Sequence, residues 1–252
     1  MYNYRNTRPF AALSDIHGNS LALEAVLADI KKRGIETIIN LGDTYYGPLD
    51  PAGTEKLLNT VDVISILGNQ DRILIAPTAA WYGMPTFRHT MGSLSREALE
   101  RLGELQGEKR LWDGEVLCCH GAPGSDTTYL TENVADGWPE LRSCGEIAAD
   151  MGSWRPSLVL CGHSHIPRVV NCGKLTVINP GSVGLPAYSD DTPPHSMSAG
   201  TPHARYAVVT PKQDRWFTTQ MEVEYDWQSA AAMALANDRP DWSGWLRTGV
   251  AS

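Results

Sequence analysis

Five short apolar runs in this chain each stop at a polar residue of a kind that binds cations, with glycine beside it. They read "LSDIHGN" (13–19), "NLGDTY" (40–45), "LGNQD" (67–71), "CCHGAP" (118–123) and "CGHSHIP" (161–167). Short apolar runs bounded by turn formers read as buried strands. Ligands in open α/β sheets gather outside the carboxyl ends of the strands, so these loops can converge in space. Glycine there lets the chain leave a strand at a sharp angle and lets backbone approach closely. The pattern therefore predicts an α/β sheet protein with one polar site at the strand ends.

The elements between these loops agree. "PFAALSD" ends a first strand near Leu13, and "SLALEAVLADIKKRG" follows as a helix. In that helix Leu23, Val26, Leu27 and Ile30 fall at i, i+3, i+4 and i+7, with Gly34 as its stop. "ETIIN", "VDVISIL", "EVLCCH" and "SLVLCGH" read as strands, and "PAGTEKLLN" and "SCGEIAADM" as helices. "SLSREALERLGEL" is a helix capped by Ser93 or Ser95. "RVVNCGKLTVINP" is a hairpin turning at Cys172-Gly173, "ARYAVVTPKQDRWFTTQMEVEY" is another, and "DWQSAAAMALAN" is a terminal helix. Pro77–Thr90 shows no period and reads as a loop or small cap. Residues 185–203, rich in Pro, Ser and Asp, read as a long loop that binds substrate, covers a site or is simply disordered. The 252 residues suit a single domain, 1–252, with a small cap at 72–106.

Composition narrows the partners. A net charge of −8 leaves no basic stripe to displace counterions from a long nucleic acid. No apolar leader opens the chain and no long apolar run crosses it, so no membrane segment is expected and the cytoplasm is the default location. Cysteines 118, 119, 144, 161 and 172 form an odd set without C-x-x-C spacing, which predicts reduced thiols. The oligomeric state is not legible.

The strand-end residues supply two Asp, one Asn and four His, with no thiolate among them. Hard oxygens mixed with imidazoles suit Mn, Fe or Zn. These donors are too many for one tetrahedral ion and divide well between two divalent ions sharing a carboxylate.

At this point the sequence resembles the calcineurin-like metallophosphoesterases. The family's D-x-H, G-D, G-N, strand-end H-G and G-H-x-H appear as "DIHGN", "GD", "GNQD", "HGAP" and "GHSH". The likeness extends through "YYGPLDP", "INPGSVG" and "YDW", from about residue 9 to residue 236, and looks closest to small bacterial members. It implies a two-sheet sandwich flanked by helices, with a dinuclear metal site at the carboxyl ends of the strands. By resemblance, Asp15, His17 and His165 would hold one ion, Asn69, His120 and His163 the other, and Asp43 would bridge. Asp43, Asn69 and His120 would double as catalytic residues, and Gln70 and Arg72 would meet the substrate. The implied chemistry is hydrolysis of a small phosphodiester or nucleotide by a hydroxide shared between the ions. A dinucleoside polyphosphate hydrolase and a protein phosphatase are the alternative activities, and a non-catalytic binding scaffold is the alternative of another class.

One position departs from the family pattern. A His commonly follows the Asn and is taken as the acid that protonates the leaving group; Gln70 stands there and has no proton titrating near neutrality. Such an acid typically contributes about 10²–10⁴-fold. His89, His195 or His203 could replace it, or the leaving group could be acidic already, as in a phosphoanhydride. Asp71, which usually pairs with that His, would orient His120 or bind Arg72. Tyr45 and Tyr46 would line the pocket or lie on the surface, and Asn179 and Ser182 would shape the site through backbone contacts. Trp242 and Trp245 would pack the tail onto the core.

Overall fold

Side chains on a strand alternate between faces, so a strand covered on both sides must be apolar throughout. The first strand, β1 (Phe10–Leu13), shows this in the computed structural model, which describes residues 8–135, 137–213 and 215–251. Phe10 and Ala12 face a second sheet, whereas Ala11 and Leu13 face a helix. The remaining strands are β2 (Thr37–Asn40), β3 (Val63–Ser65), β4 (Glu108–Leu111), β5 (Val116–Cys119), β6 (Glu132–Asn133), β7 (Glu140–Leu141), β8 (Leu158–Leu160), β9 (Arg168–Cys172), β10 (Leu175–Asn179), β11 (Ala187–Asp191), β12 (Pro194–Ser198), β13 (Ala204–Lys212) and β14 (Arg215–Val223). The helices are α1 (Ser20–Lys32), α2 (Pro51–Leu58), α3 (Asn69–Ile75), α4 (Pro85–Ser93), α5 (Arg96–Glu104), α6 (Cys144–Asp150), α7 (Trp227–Ala236) and α8 (Pro240–Thr248).

Two five-stranded sheets result, in the orders β14-β13-β1-β2-β3 and β4-β5-β8-β10-β9. β1, β2 and β3 run parallel, as do β5, β8 and β10. The carboxyl ends of these strands carry the polar loops. Phe10, Ile39, Leu41, Val116, Leu158, Ile178, Val209 and Trp216 fill the space between the sheets. Leu23, Val26 and Ile30 of α1 cover the outer face of the first sheet, and Ile147 and Met151 at α6 cover that of the second. This is the expected mixed α/β sandwich of two sheets flanked by helices. α1 starts as its sequence requires, with the Asn19 side chain accepting from the Ala22 N–H at 3.1 Å, and Gly34 follows it at φ +67°.

Four expectations need correction. Pro77–Thr90 is not an irregular loop: a 3₁₀ turn over Ala79–Gly83 precedes α4, where Pro85 sits in the first turn and Phe87 and Thr90 are buried. Within the expected loop 185–203, β11 and β12 pair as a hairpin with Asp190 opposite His195. His195 and Met197 on β12 are buried two residues apart, a period-2 signal masked by the surrounding Pro, Ser and Asp. The tail forms a further helix, α8, because Trp242 and Leu246 bury one face at i, i+4.

The cysteines are the fourth case. Cys144 and Cys172 form a disulfide with Cα atoms 5.4 Å apart, although 28 residues separate them. Spacing did not reveal the pair because the start of α6 and the end of β9 meet only through the fold. Cys118, Cys119 and Cys161 are free thiols, as expected, and all are buried. Among the described residues no helix is long and apolar enough to cross a membrane.

Candidate functional site

The five polar loops meet at one end of the sandwich, between the two sheets. Asp15 and His17 follow β1, Asp43 follows β2, His120 follows β5, and His163 and His165 follow β8. Asn69 opens α3 just beyond β3. Asp15, His17, Asp43, His163 and His165 all take positive φ, between 51° and 67°. A non-glycine residue in the left-handed region typically costs about 1–3 kcal/mol where a site imposes it. Five such residues on one site mark backbone bent to aim side chains inward rather than to extend the sheets. Glycines make room for the bends. A Cβ on Gly68 would strike Asp43, one on Gly162 would strike Ser14 and Asp15, and one on Gly184 would strike the Ile16 carbonyl.

Each imidazole is oriented by a backbone carbonyl. His17, His120 and His165 donate from Nδ1 to the carbonyls of Tyr46 (3.0 Å), Leu41 (2.8 Å) and Leu185 (2.7 Å). A carbonyl only accepts, so Nδ1 carries the proton and Nε2 is left to face the site. His17 Nε2 then lies 3.1 Å from His165 Nε2, and His120 Nε2 lies 2.9 Å from Asn69 Oδ1. His163 is turned the other way, with Nε2 3.2 Å from the Thr127 carbonyl, which leaves Nδ1 free. Carbonyl partners of this kind fix the tautomer of metal-binding histidines.

Asp15 and Asp43 lie among these rings. Asp15 is fully buried, and its Oδ1 makes no hydrogen bond although His165 Nε2 is 3.3 Å away and the Nε2 atoms of His17 and His120 are each 3.9 Å away. Asp43 Oδ2 lies 3.5 Å from His120 Nε2, and its Oδ1 accepts from the Gln70 N–H at 2.8 Å. Two triads, Asp15–His17–His165 and Asp15–Asp43–His120, bring their candidate ligand atoms within 4.8 Å of one another. An orphaned, buried carboxylate oxygen facing converging imidazole nitrogens is what a bound cation would satisfy. The residues fit a pair of divalent ions, with Asp15 reaching both triads.

The electrostatics point the same way. Burial alone would raise the Asp15 and Asp43 carboxyls, but the imidazoles of His165 and His120 hold both below the ordinary range. Burial and neighbouring imidazoles push His17 and His163 down to about 4. His120 goes the other way: burial opposes its charge, yet the Asp43 carboxylate carries it up to about 10. These shifts favour ionised carboxylates and, in the metal-free site, a proton on His120.

The remaining predicted residues fall into place around this centre. Asp71 neither bonds His120 nor reaches Arg72. It accepts from Thr44 N–H (2.9 Å), Thr44 Oγ1 (3.4 Å) and Gly68 N–H (3.2 Å), tying the Asp43 loop to the Asn69 loop. Burial, with the Asp43 charge nearby, pushes Asp71 up to about 7. Arg72 pairs with Asp126 at 2.6 and 3.1 Å, and the Gln70 side-chain carbonyl oxygen is buried without a partner. Tyr45 and Tyr46 are buried, not surface residues, and the Tyr46 carbonyl orients His17. The Asn179 amide donates to the Gly162 carbonyl and Ser182 Oγ to the Asp15 carbonyl, each at 2.8 Å. Trp242 packs its ring 5.7 Å from that of His17, so the tail supports the site as well as the core.

Of the three alternative histidines, His89 donates from Nε2 to the Leu49 carbonyl at 3.0 Å and His203 pairs with Glu222. His195 alone joins the site, through Tyr129. Sequence reasoning missed Thr44, Tyr129 and Tyr188. Thr44 directly follows the Asp43 motif position, while Tyr129 and Tyr188 lie in segments with no recognisable pattern.

Known proteins share this architecture. The calcineurin-like phosphoesterase superfamily domain matches residues 9–201. An uncharacterized protein of Methanocaldococcus jannaschii, MJ0912, is 28% identical over 257 residues, covering 93% of this chain and 95% of its own. A metallophosphoesterase from Sphaerobacter thermophilus superposes with a TM-score of 0.74 at 24% identity, over 96% of this chain and 100% of its own. The hypothetical protein PH1004 from Pyrococcus horikoshii gives 0.73 at 20% identity, over 98% of this chain and 100% of its own. With the match spanning most of the sequence and all five strand-end loops inside it, the chain belongs to the calcineurin-like phosphoesterase superfamily.

Proposed function

We propose that this protein is a dinuclear-metal phosphoesterase acting on a small phosphodiester or nucleotide. The observation that carries this reading is the convergence of the His17, His120 and His165 Nε2 atoms on the buried, unsatisfied Asp15 carboxylate. His17, His165 and Asp15 would hold one ion; His120, His163 and Asn69 the other; and Asp43 would be shared. Such ions supply Lewis-acid polarisation of phosphoryl oxygens and a hydroxide nucleophile at neutral pH. Mn, Fe and Zn all match the donor set.

The chain's own residues do the rest. The carbonyls of Tyr46, Leu41 and Leu185 lock three ring orientations before anything binds, which lowers the reorganisation needed in the reaction. Asp71 holds the Asp43 loop through Thr44 and Gly68. Gln70 offers its amide to the substrate but no acid, so a good leaving group suits this site better than an alkoxide. That difference favours a nucleotide or phosphoanhydride leaving group as the second reading.

The test is hydrolysis by Mn²⁺-loaded protein of bis-p-nitrophenyl phosphate beside p-nitrophenyl phosphate and a dinucleoside polyphosphate. Preference for the diester supports the proposal. Preference for the anhydride selects the second reading. Two bound ions with silence on all three substrates would overturn turnover in favour of a binding role.

A further inference from the structure

The hairpin β11–β12 reaches the candidate metal centre through Tyr188 and His195, joined by Tyr129 from the loop before β6. Tyr188 on β11 sets its ring 4.6 Å from that of His165, at 67°. Tyr129, from the loop before β6, stacks on His163 with centroids 4.7 Å apart and planes 23° apart. The two aromatic rings therefore back the two histidines of "GHSH", one each. His195 on β12 lies against both tyrosines, at 5.4 Å and 6.3 Å.

Hydrogen bonds join the three in one direction. His195 Nδ1 donates to the Pro193 carbonyl at 2.7 Å, so in the neutral ring Nε2 must accept. The acceptor takes the Tyr129 hydroxyl proton at 2.9 Å. The Tyr129 oxygen is then free to accept from Tyr188, whose hydroxyl lies 2.8 Å away and also 3.1 Å from the His163 carbonyl. Every donor has an acceptor: the single Tyr188 proton goes to Tyr129, and the chain ends on the Pro193 carbonyl. His195 is only 6% exposed and the tyrosines pack on Val134, Ile166 and Met197, so the network sits in a defined, largely dry setting. Satisfied buried networks of this kind fix a single side-chain arrangement.

The geometry points to Tyr129, Tyr188 and His195 as a positioning network. It holds the His163 and His165 rings in metal-binding orientation and ties the hairpin to the ions. This inference rests on the assignment of His163 and His165 as ligands under the proposed function. His163 needs such support more than its neighbours: its one carbonyl bond, to Thr127, is the longest of the four histidine anchors at 3.2 Å. Groups that orient ligands typically contribute about 10–100-fold to metal affinity.

The test titrates the full-length protein with Mn²⁺, read by the electron paramagnetic resonance signal of the free ion. The unfolding midpoint of the metal-free protein is recorded alongside. Tyr129→Phe keeps the ring on His163 and removes only the hydrogen bonds; His195→Leu removes the acceptor; His195→Gln restores one. Tyr129→Phe and His195→Leu are expected to weaken one Mn²⁺ site about 10-fold, in the lower part of the range for orienting groups. His195→Gln is expected to recover most of that affinity, and the double variant to lose no more than either single change. A merely structural role would lower the metal-free midpoint without this rescue pattern. Unchanged Mn²⁺ isotherms in folded Tyr129→Phe and His195→Leu overturn the network. Absence of Mn²⁺ binding by the unsubstituted protein overturns the ligand assignment instead.

Discussion

His17 Nε2 faces His165 Nε2 at 3.1 Å while each ring gives its Nδ1 proton to a backbone carbonyl. Two neutral rings so anchored would present lone pair to lone pair, which is repulsive. The contact is stable only with a proton or a cation between them, and Asp15 beside both rings supplies the counter-charge. The fold thus builds a place for positive charge, and with burial holding His17 down to about 4 a metal ion fills it better than a proton near neutrality.

That competition is measurable at His120. In the metal-free site its pKa is raised from 6.5 to about 10, chiefly by Asp43 against the opposing effect of burial. A raised histidine contributes stability that is fully present below 6.5 and lost as pH rises toward about 10. Metal at Nε2 must displace this proton, so binding at pH 7 should release protons, and affinity should climb over that same window. Calorimetric titration in buffers of different ionisation enthalpy would show it; buffer-independent heats would contradict the protonated state of His120.

Under the proposed assignment Asp43 would be the carboxylate shared between the ions, and Asp43→Asn removes a charge while keeping shape. The substitution is expected to abolish retention of at least one ion and to lower phosphodiester hydrolysis by more than about 100-fold, on the scale of losing a principal electrostatic group. Metal content by elemental analysis and turnover on the same sample decide it. Retained turnover would remove the shared-carboxylate assignment.

Asp71 illustrates what the sequence could and could not show. Its motif position was legible, but its partners were not, because Thr44 and the Gly68 amide come near it only after the β2 and β3 loops fold side by side. Strands β1, β5 and β8 were legible because burial on both faces makes them apolar throughout, and the seven strand-end donors because their residue types are rare in such places. Hairpin β11–β12 was not, since its buried positions, His195 and Met197, are interleaved with serine and flanked by proline. The disulfide was hidden for the same reason as the Asp71 partners: Cys144 and Cys172 are neighbours in space alone.

Asp71→Ala should therefore cost more than a surface change. It strands the buried Thr44 and Gly68 N–H groups, each costing about 1–3 kcal/mol when left without a partner. A loss of about 2–4 kcal/mol in denaturant unfolding is expected, accompanied by weaker metal binding, because the freed loop carries Asp43. A loss under 1 kcal/mol would show that these amides find water instead.

Gly162 leads into the "GHSH" segment, and its missing Cβ leaves room for the Ser14 hydroxyl and Asp15 carboxylate. Gly162→Ala would press on Asp15 directly, and the backbone on either side is fixed by the Gly162–His120 and Asn179–Gly162 hydrogen bonds. The expected result is a folded protein with metal affinity reduced at least 10-fold, the range for disturbing a ligand's support. Circular dichroism and a Mn²⁺ titration suffice; native affinity would mean that the loop can shift without moving Asp15.

The Cys144–Cys172 bond lies at the start of α6 and the end of β9, away from the strand-end loops. Closing a loop across a separation of 28 residues restricts the unfolded chain by about 3–4 kcal/mol in the chain-entropy account. For a protein of this size that corresponds to a fall in midpoint of about 5–15 °C on reduction. The disulfide touches none of the residues that orient the histidines, so hydrolysis at 25 °C should survive reduction while thermal stability falls. Scanning calorimetry with and without a phosphine reductant, beside an activity assay, separates the two effects. Equal loss of activity and stability would instead place β9 in the working parts of the site, through the Gln220 amide that bridges the Arg168 and Asn179 carbonyls at 3.3 and 2.8 Å.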